Sequence, residues 1–275
     1  MYRLLRIDLS DRSSSLELID PDVQRPYIGG VGMGARLLYE EVAPGAAWSE
    51  EENKLILATG PLNGTAVPGS GTICAVTKGC LTHGGASSQA NGYFGAFLRS
   101  AGIDAVILGG VANEWCYLYL HNGGVEIRDA RFLLGQDTAE TERMVVEALG
   151  EKQSRVSVYG IGPAGENLVR YAMMAGDRGH VIAHNGFGAV LASKKVKAIA
   201  VRNEGKKPEV KHPKALAELS RTIGEEAKKH PVYGRIHKYG TSALWPMLAE
   251  KGLVPVRNLT TNRFPGAATF SREHY

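Results

Sequence analysis

The sequence has no long apolar run, few cysteines, few aromatic residues and no strong excess of either charge. Its longest apolar stretches, such as Ala105–Leu108 and Ala198–Val201, are far too short to cross a bilayer, which argues against a membrane protein. The start, Met1-Tyr2-Arg3-Leu4-Leu5-Arg6-Ile7-Asp8, alternates charged and apolar residues and lacks the apolar core of a secretion signal. It reads as a first strand, and the expected location is the cytoplasm. Three cysteines in 275 residues, Cys74, Cys80 and Cys116, are too few and too scattered for a disulfide scaffold. Nor can they supply the four thiolates of an iron–sulfur cluster, so buried structural thiols are expected and no metal ligand is assigned within the chain. With 32 basic and 28 acidic residues the net charge is +4, and no Lys/Arg block is interleaved with aromatics, so nucleic acid is not an expected partner. The one basic cluster, Lys194-Lys195-Val196-Lys197, is expected at a solvated helix end.

What is present is an ordinary globular composition, 44% hydrophobic and 22% charged, with glycine used heavily. Arg3–Leu9 and Ser15–Ile19 predict a hairpin turning at Asp11-Arg12. Lys54–Thr59, Thr72–Thr77, Ala105–Leu108, Trp115–Leu120, Val125–Arg128, Val156–Tyr159 and Ala198–Val201 predict further strands, with His121-Asn122-Gly123-Gly124 as a hairpin turn. Asp137–Leu149 predicts a helix, capped by Asp137 with Glu140 three residues on and stopped by Gly150. Its apolar face would be Ala139, Met144, Val145, Ala148 and Leu149. The polar run Asn203–Pro208 marks a domain boundary, with one domain over 1–205 and a second over 206–275. In the second, Pro213–Lys229 and Thr241–Lys251 predict helices, while Asn258–Tyr275 carries no strong signal.

An internal similarity runs through the first domain. Asn91-Gly92-Tyr93-Phe94-Gly95-Ala96-Phe97-Leu98 is echoed by Asn185-Gly186-Phe187-Gly188-Ala189-Val190-Leu191. Each is followed by a strand, and upstream of each lies a Gly-Pro, at Gly60-Pro61 and Gly162-Pro163. Two half-domains built on one plan would produce this pattern and would bind a ligand where their paired loops converge.

Candidate chemistry is sparse. Gly30-Val31-Gly32-Met33-Gly34-Ala35 and Gly160-Ile161-Gly162-Pro163-Ala164-Gly165 match a dinucleotide fingerprint, which requires a strand, a glycine turn and a helix amino end facing the pyrophosphate. The first lacks the strand, since Pro26 interrupts Val23–Ile28. The second follows Val156–Tyr159 and has Asp177 at a spacing suited to a ribose, but carries Pro163 in the turn. Glycine-rich segments at 29–34, 60–71, 84–95 and 179–188 would let a flat, phosphate-bearing ligand approach the backbone. His180 and His184, four apart, fall in a glycine-flanked loop, so a polar ligand contact fits them better than a metal. His83 sits in a Thr-His-Gly-Gly loop. No residue set names a nucleophile or a general base, and the catalytic residues are unassigned.

Several segments, in order, resemble the aldehyde ferredoxin oxidoreductase family. They are Asn53–Thr65 with its Ala-Thr-Gly-Pro-Leu core, Gly92-Tyr93-Phe94-Gly95, Ala101–Ala105, Glu126–Ala130, Ile161–Val169 with Gly-Pro-Ala-Gly-Glu-Asn-Leu, and Gly188–Val201. Gly240-Thr241 and Pro255–Leu259 resemble the start of the family's second domain. The resemblance implies an α+β fold: a duplicated α/β/β/α amino-terminal domain that cradles the cofactor, followed by the beginning of a mainly helical domain. It implies an oxidoreductase that oxidises aldehydes to carboxylic acids at tungsten, or molybdenum, held by two pterins, with a [4Fe-4S] cluster passing electrons to ferredoxin.

The family's cofactor contacts map onto Thr72, Gln89, Asn91, Gly92, His180, Val181, Ala183, His184 and Asn185. The sequence departs from the pattern here. Thr72 stands in place of an arginine, and the loop Gly179–Asn185 lacks both of its arginines, so a phosphate would lose bidentate partners. The family's cluster cysteines and its catalytic acid and histidine are expected beyond Tyr275. The chain alone is therefore expected to hold neither cofactor and to be inactive. Its partners would be the missing carboxy-terminal domains or a complementary chain, ferredoxin and an aldehyde, and a homodimeric assembly is compatible with it. A cofactor-free binding or assembly module on the same fold is the alternative reading.

Overall fold

The computed structural model describes residues 1–270. The chain divides into two compact units, Met1–Lys211 and His212–Tyr275. The larger unit opens with β1 (Tyr2–Asp8) and β2 (Ser13–Ile19), which pair antiparallel, then α1 (Pro21–Tyr27) and α2 (Gly30–Glu41). There follow β3 (Leu55–Ala58), β4 (Ile73–Lys78), β5 (Gly85–Ala90), α3 (Phe94–Ser100) and β6 (Ala105–Gly109). The second half comprises β7 (Cys116–His121), β8 (Gly124–Asp129), α4 (Thr138–Ala148), β9 (Val156–Gly160) and α5 (Pro163–Glu166). It continues through β10 (Met174–Gly176), β11 (His180–Ile182), α6 (Phe187–Ser193) and β12 (Val196–Arg202).

The strands form two six-stranded mixed sheets, ordered β2-β1-β6-β3-β4-β5 and β8-β7-β12-β9-β10-β11. Adding six to each strand number of the first gives the second. The directions agree too: β1–β6 and β7–β12 are the parallel pairs. The inner faces of both sheets share one core with α3 and α6, in which Phe94, Leu98, Phe187, Val190 and Leu191 are fully buried. Helix α2 covers the outer face of the first sheet through Met33 and Leu37, and α4 covers the second through Val145 and Val146.

The expected strands form, and Asp137 caps α4 by accepting from Glu140 N at 2.8 Å. The buried face of α4 is Thr141, Glu142, Val145 and Val146, with Met144 and Leu149 half-buried against the same core, whereas Ala139 and Ala148 are exposed. The expected apolar face is thus rotated, because Glu142 is held inside by Gln153 Nε2 at 2.8 Å and Arg178 N at 3.2 Å. All three cysteines are buried and free, with thiols pushed up by burial to about 12 for Cys74 and about 11 for Cys80 and Cys116.

The basic cluster contradicts its expected exposure. Lys194 and Lys197 are both fully buried. Lys197 Nζ donates to the Glu166 carboxylate and to Gln136 O, and Glu166 also accepts from Gly135 N. Lys194 Nζ donates to Gly110 O at 3.2 Å, in the link between the halves. The lysines are enclosed because the chain turns directly from α6 into the central strand β12.

In the smaller unit, α7 (Pro213–Lys229) matches expectation. Helix α8 (Tyr233–Tyr239) was not expected, and the second expected helix, Thr241–Lys251, is instead a short 3-10 segment over Gly240–Leu244 followed by α9 (Trp245–Glu250), with Pro246 in the first turn of α9. Asn258–Phe270 holds a bridge partner, Thr261, and a 3-10 turn over Ala267–Phe270; the last five positions of that expected loop lie outside the described residues.

Lys194 gives a pH test. Burial, then the charge of Lys54, holds its ammonium down to about 8, below the unfolded value. Between those values the unfolded chain binds the extra proton, so the lysine's penalty fades as pH rises above about 8. Urea unfolding of wild type should show a gain on the order of 3 kcal/mol between pH 7.5 and 10.5 relative to Lys194→Met. Identical pH slopes for the two proteins would refute this assignment.

Candidate functional site

Strands β5 and β11 are the far edges of the two sheets and run beside each other. The loops that leave them, Asn91–Tyr93 and Ala183–Gly186, therefore converge. The turn before each edge strand reaches across to the opposite half. Asp177, between β10 and β11, accepts from Tyr93 N at 2.7 Å and Phe94 N at 3.1 Å, at the start of α3. Cys80, between β4 and β5, donates its N–H to Asn185 O at 2.9 Å and its thiol to Gly186 O at 3.3 Å, at the start of α6. The two contacts are reciprocal, as duplication requires.

Local backbone explains why these loops take the residues they do. Gly92 has φ +111°, and a Cβ there would lie 2.4 Å from Asp177 Oδ2. Gly186 has φ +73°, and its Cβ would meet Arg170 O at 2.0 Å. Asp177, Arg178, His184 and Asn185 are left-handed as well, with φ of 45°, 63°, 60° and 46°. Such conformations cost on the order of 1–3 kcal/mol each in non-glycine residues and concentrate where a backbone shape is needed for function.

The sequence-derived candidates fall into two neighbouring groups. Thr72 Oγ1 donates to Asn91 Oδ1 at 3.0 Å, and Asn91 O accepts from Tyr159 Oη at 2.8 Å. Gln89 is on the exposed face of β5, and Gly92 closes this group against Asp177. In the other group, His180, Val181 and His184 are exposed, Ala183 is half-buried and Asn185 is fastened to Cys80. Among the described residues no cluster of His, Cys, Asp or Glu could hold a metal ion. His83, exposed in the left-handed region at φ 56°, stands one turn from Gly79, against which Asn185 packs.

Sequence reasoning missed the supporting residues. Asp177 does not wait for a ribose: its carboxylate is committed to Tyr93 and Phe94. The second dinucleotide fingerprint fails for the same architecture, because β9 is antiparallel to both β10 and β12 and α5 is only four residues long. The first is the opening turn of α2, where Gly34 lets the helix seat against Val76. Arg170 and Arg178 flank the His180–Asn185 loop with exposed side chains that join no ion pair among the described residues. Extending the repeat to align Cys80 with Asp177 would have found the crossing turns; nothing in the sequence signals the two arginines.

Electrostatically the region is positive and apolar by turns. Tyr159 is driven well above its usual pKa by burial, then by the charges of Asp177 and Glu142, so its phenol remains a donor. Leu81, Tyr93, Tyr171 and Met173 are exposed beside the loops. Apolar side chains gathered in this way mark surfaces that meet a ligand or partner.

Residues 4–203 match the family model described as aldehyde ferredoxin oxidoreductase, N-terminal domain. The chain belongs to this family. It is 40% identical over 272 residues to tungsten-containing aldehyde ferredoxin oxidoreductases of Pyrococcus abyssi and Pyrococcus horikoshii, covering 98% of this chain and 44% of each relative. It is 30% identical to the aliphatic sulfonate oxidoreductase, WOR-like subunit, of Pyrococcus furiosus, covering 93% of this chain and 42% of that protein. Among solved structures it resembles the active-site complex BamBC of benzoyl coenzyme A reductase, with a TM-score of 0.78 at 34% identity, covering 82% of this chain and 34% of that one. The chain thus spans less than half the length of these relatives. Within the aldehyde ferredoxin oxidoreductase resemblance, the Gly-Pro-Ala-Gly-Glu-Asn-Leu motif has a structural reading here, since its Glu166 neutralises buried Lys197.

The Gly92–Asp177 contact gives a double-mutant test. Gly92→Ala should destabilise the chain by at least about 2 kcal/mol, through left-handed strain and the clash. Asp177→Ala should cost about 2 kcal/mol by leaving two N–H groups unpaired. Because Asp177→Ala removes the closest contact, Oδ2 at 2.4 Å, and leaves only the Cβ at 2.9 Å, the double variant should be more stable than the two costs added together. Strict additivity in urea unfolding would show that the two residues do not act through each other.

Proposed function

We propose that the larger unit is the cofactor-cradling part of an oxidoreductase that oxidises aldehydes to carboxylic acids with ferredoxin as electron acceptor. The observation that carries this is the convergence of the two duplicated loops on one surface with unpaired cations beside it. Thr72, Gln89, Asn91 and Gly92 would hold one side of a bis-pterin, and His180, Val181, Ala183, His184 and Asn185 the other. The donor set fits a phosphate-bearing group. Gly92 and Gly186 leave the backbone open, Arg170 and Arg178 supply positive charge where the family pattern has other arginines, and His180 and His184 offer ring nitrogens for hydrogen bonds. When bound, the tungsten, or molybdenum, bis-pterin supplies the two-electron oxidation, and a [4Fe-4S] cluster relays the electrons.

The chain's own residues would orient and enclose. Asp177 and Cys80 fix the two loops relative to each other, and Tyr159 fixes Asn91. Leu81, Tyr93 and Tyr171 would exclude water once covered. In the smaller unit, Leu219 and Ile223 of α7 are exposed on one helix face. That face supports the reading of His212–Phe270 as the start of a helical domain completed by further chain or by a complementary subunit. The second reading, a cofactor-free binding or assembly module, is favoured by Thr72 and by the arginine-free loop.

The test is metal and pterin analysis of a long native form carrying this sequence, from cells grown with tungstate, alongside aldehyde-dependent ferredoxin reduction. Tungsten with pterin and ferredoxin reduction is the expected result. Absence of metal and pterin from a folded long form would overturn the oxidoreductase reading in favour of the binding module.

A further inference from the structure

A groove of about 900 Å³ lies on the outer face of the first sheet, between α2 and the β4–β5 edge. None of its lining residues belongs to the cradle. Its walls are apolar: Val31, Ala35, Leu38, Tyr39, Val42 and Val76. At one end stands Lys78, whose residue is 8% exposed and whose Nζ donates to Pro44 O at 2.6 Å. An ammonium has three donors, and this carbonyl is the acceptor the structure gives it. Among the described residues no carboxylate lies within ion-pair distance of it. Glu40 lines the same groove, but its carboxylate is engaged by Arg36 Nε at 2.9 Å. Buried charges in proteins are as a rule paired, and here the groove beside Lys78 is the place left for a partner.

We propose that this groove binds a small amphipathic carboxylate, with its anionic head on Lys78 and its apolar body along α2. The volume and apolar lining are those of a small-molecule site with one polar anchor. The head is a monoanion because a single point charge receives it. No guanidinium fork of the kind that selects phosphate lines the groove. Gly84 and Gly85, at the start of β5, add no side chain to the mouth. His83 stands at that mouth, exposed.

The second half of the duplication supplies an internal comparison. Its groove between α4 and β10 holds about 440 Å³ and is lined by Thr138, Ala139, Glu142 and Arg143. There the buried charge is already met, since Glu142 accepts from Gln153 and from Arg178 N. Duplication leaves a groove in both halves, but only the first combines apolar walls with an unmatched ammonium. The proposal is independent of the cradle and of any redox activity.

The experiment is calorimetric titration of the 275-residue chain with octanoate, with octan-1-ol as the uncharged probe of the same body. Octanoate should bind at one site, and octan-1-ol about tenfold or more weakly. Lys78→Met should lower octanoate affinity by a similar factor. Ala35→Trp, at an exposed position on the groove wall, should abolish binding of both probes while leaving the unfolding curve unchanged. That second variant keeps the test decisive if Lys78→Met fails to fold. Equal affinity for octanoate and octan-1-ol, octanoate binding that survives Ala35→Trp, or no octanoate binding would each overturn the proposal.

Discussion

The carboxylate of Asp177 holds together the junction where the two duplicated loops converge. Each half of the larger unit brings one loop to the junction, and neither loop has enough side-chain bulk to fix its own shape. Two backbone N–H groups of one half are satisfied by a carboxylate of the other, in a buried setting where leaving them unpaired would cost about 1–3 kcal/mol apiece. Cys80 performs the reverse crossing with weaker bonds. The left-handed residues on either side can be borne because these contacts over-determine the backbone. Gly92 follows as a consequence, since any side chain there would occupy the space that the carboxylate requires.

The same geometry explains what could be read from the sequence. Central strands such as Ala105–Gly109 and Val196–Arg202 are continuous apolar runs, and buried strands look like that. The repeat was legible because each half needs Asn-Gly before an aromatic at its crossing helix, and the strand orders carry it through all twelve strands. Edge strand β5, Gly-Ala-Ser-Ser-Gln-Ala, gave no such signal, because small residues suffice where one face packs on the core and the other stays open. Strand β11 is three residues long, too short for periodicity to register. The candidate cradle residues could be listed from resemblance, but their supports could not. Asp177 and Tyr159 act through backbone groups remote in sequence, and no local pattern records that.

Charge was the most misleading signal. A run of three lysines in four residues suggests a solvated surface, yet two of them are enclosed. Lys197 is tolerable because Glu166 and Gln136 meet it, which ties the most specific family motif to the base of β12. A motif that survives for this reason reports the fold rather than the chemistry. It therefore weighs little in choosing between a loaded cradle and a cofactor-free module. The arginine positions weigh more, because they concern the charge that a phosphate would meet. Arg170 and Arg178 flank that loop with exposed side chains, and the charge of Arg178 also reaches Glu142.

The smaller unit makes a separate demand. Helices α7, α8 and α9 contain no buried residue, and Val254 is the buried apolar side chain among its described residues. An isolated helix gains little from propensity alone; most of its stability in proteins comes from packing an apolar face. The face on α7 that includes Leu219 and Ile223 has the right spacing for such packing but remains exposed. Relatives more than twice as long as this chain have the material to cover such a face. Covering it would order α7 and enlarge the core of the helical unit in one step. The larger unit can form without that cover, because its two sheets already share a closed core. Folding of the larger unit and covering of the α7 face are thus separable, and the Asp177 contact belongs wholly to the first.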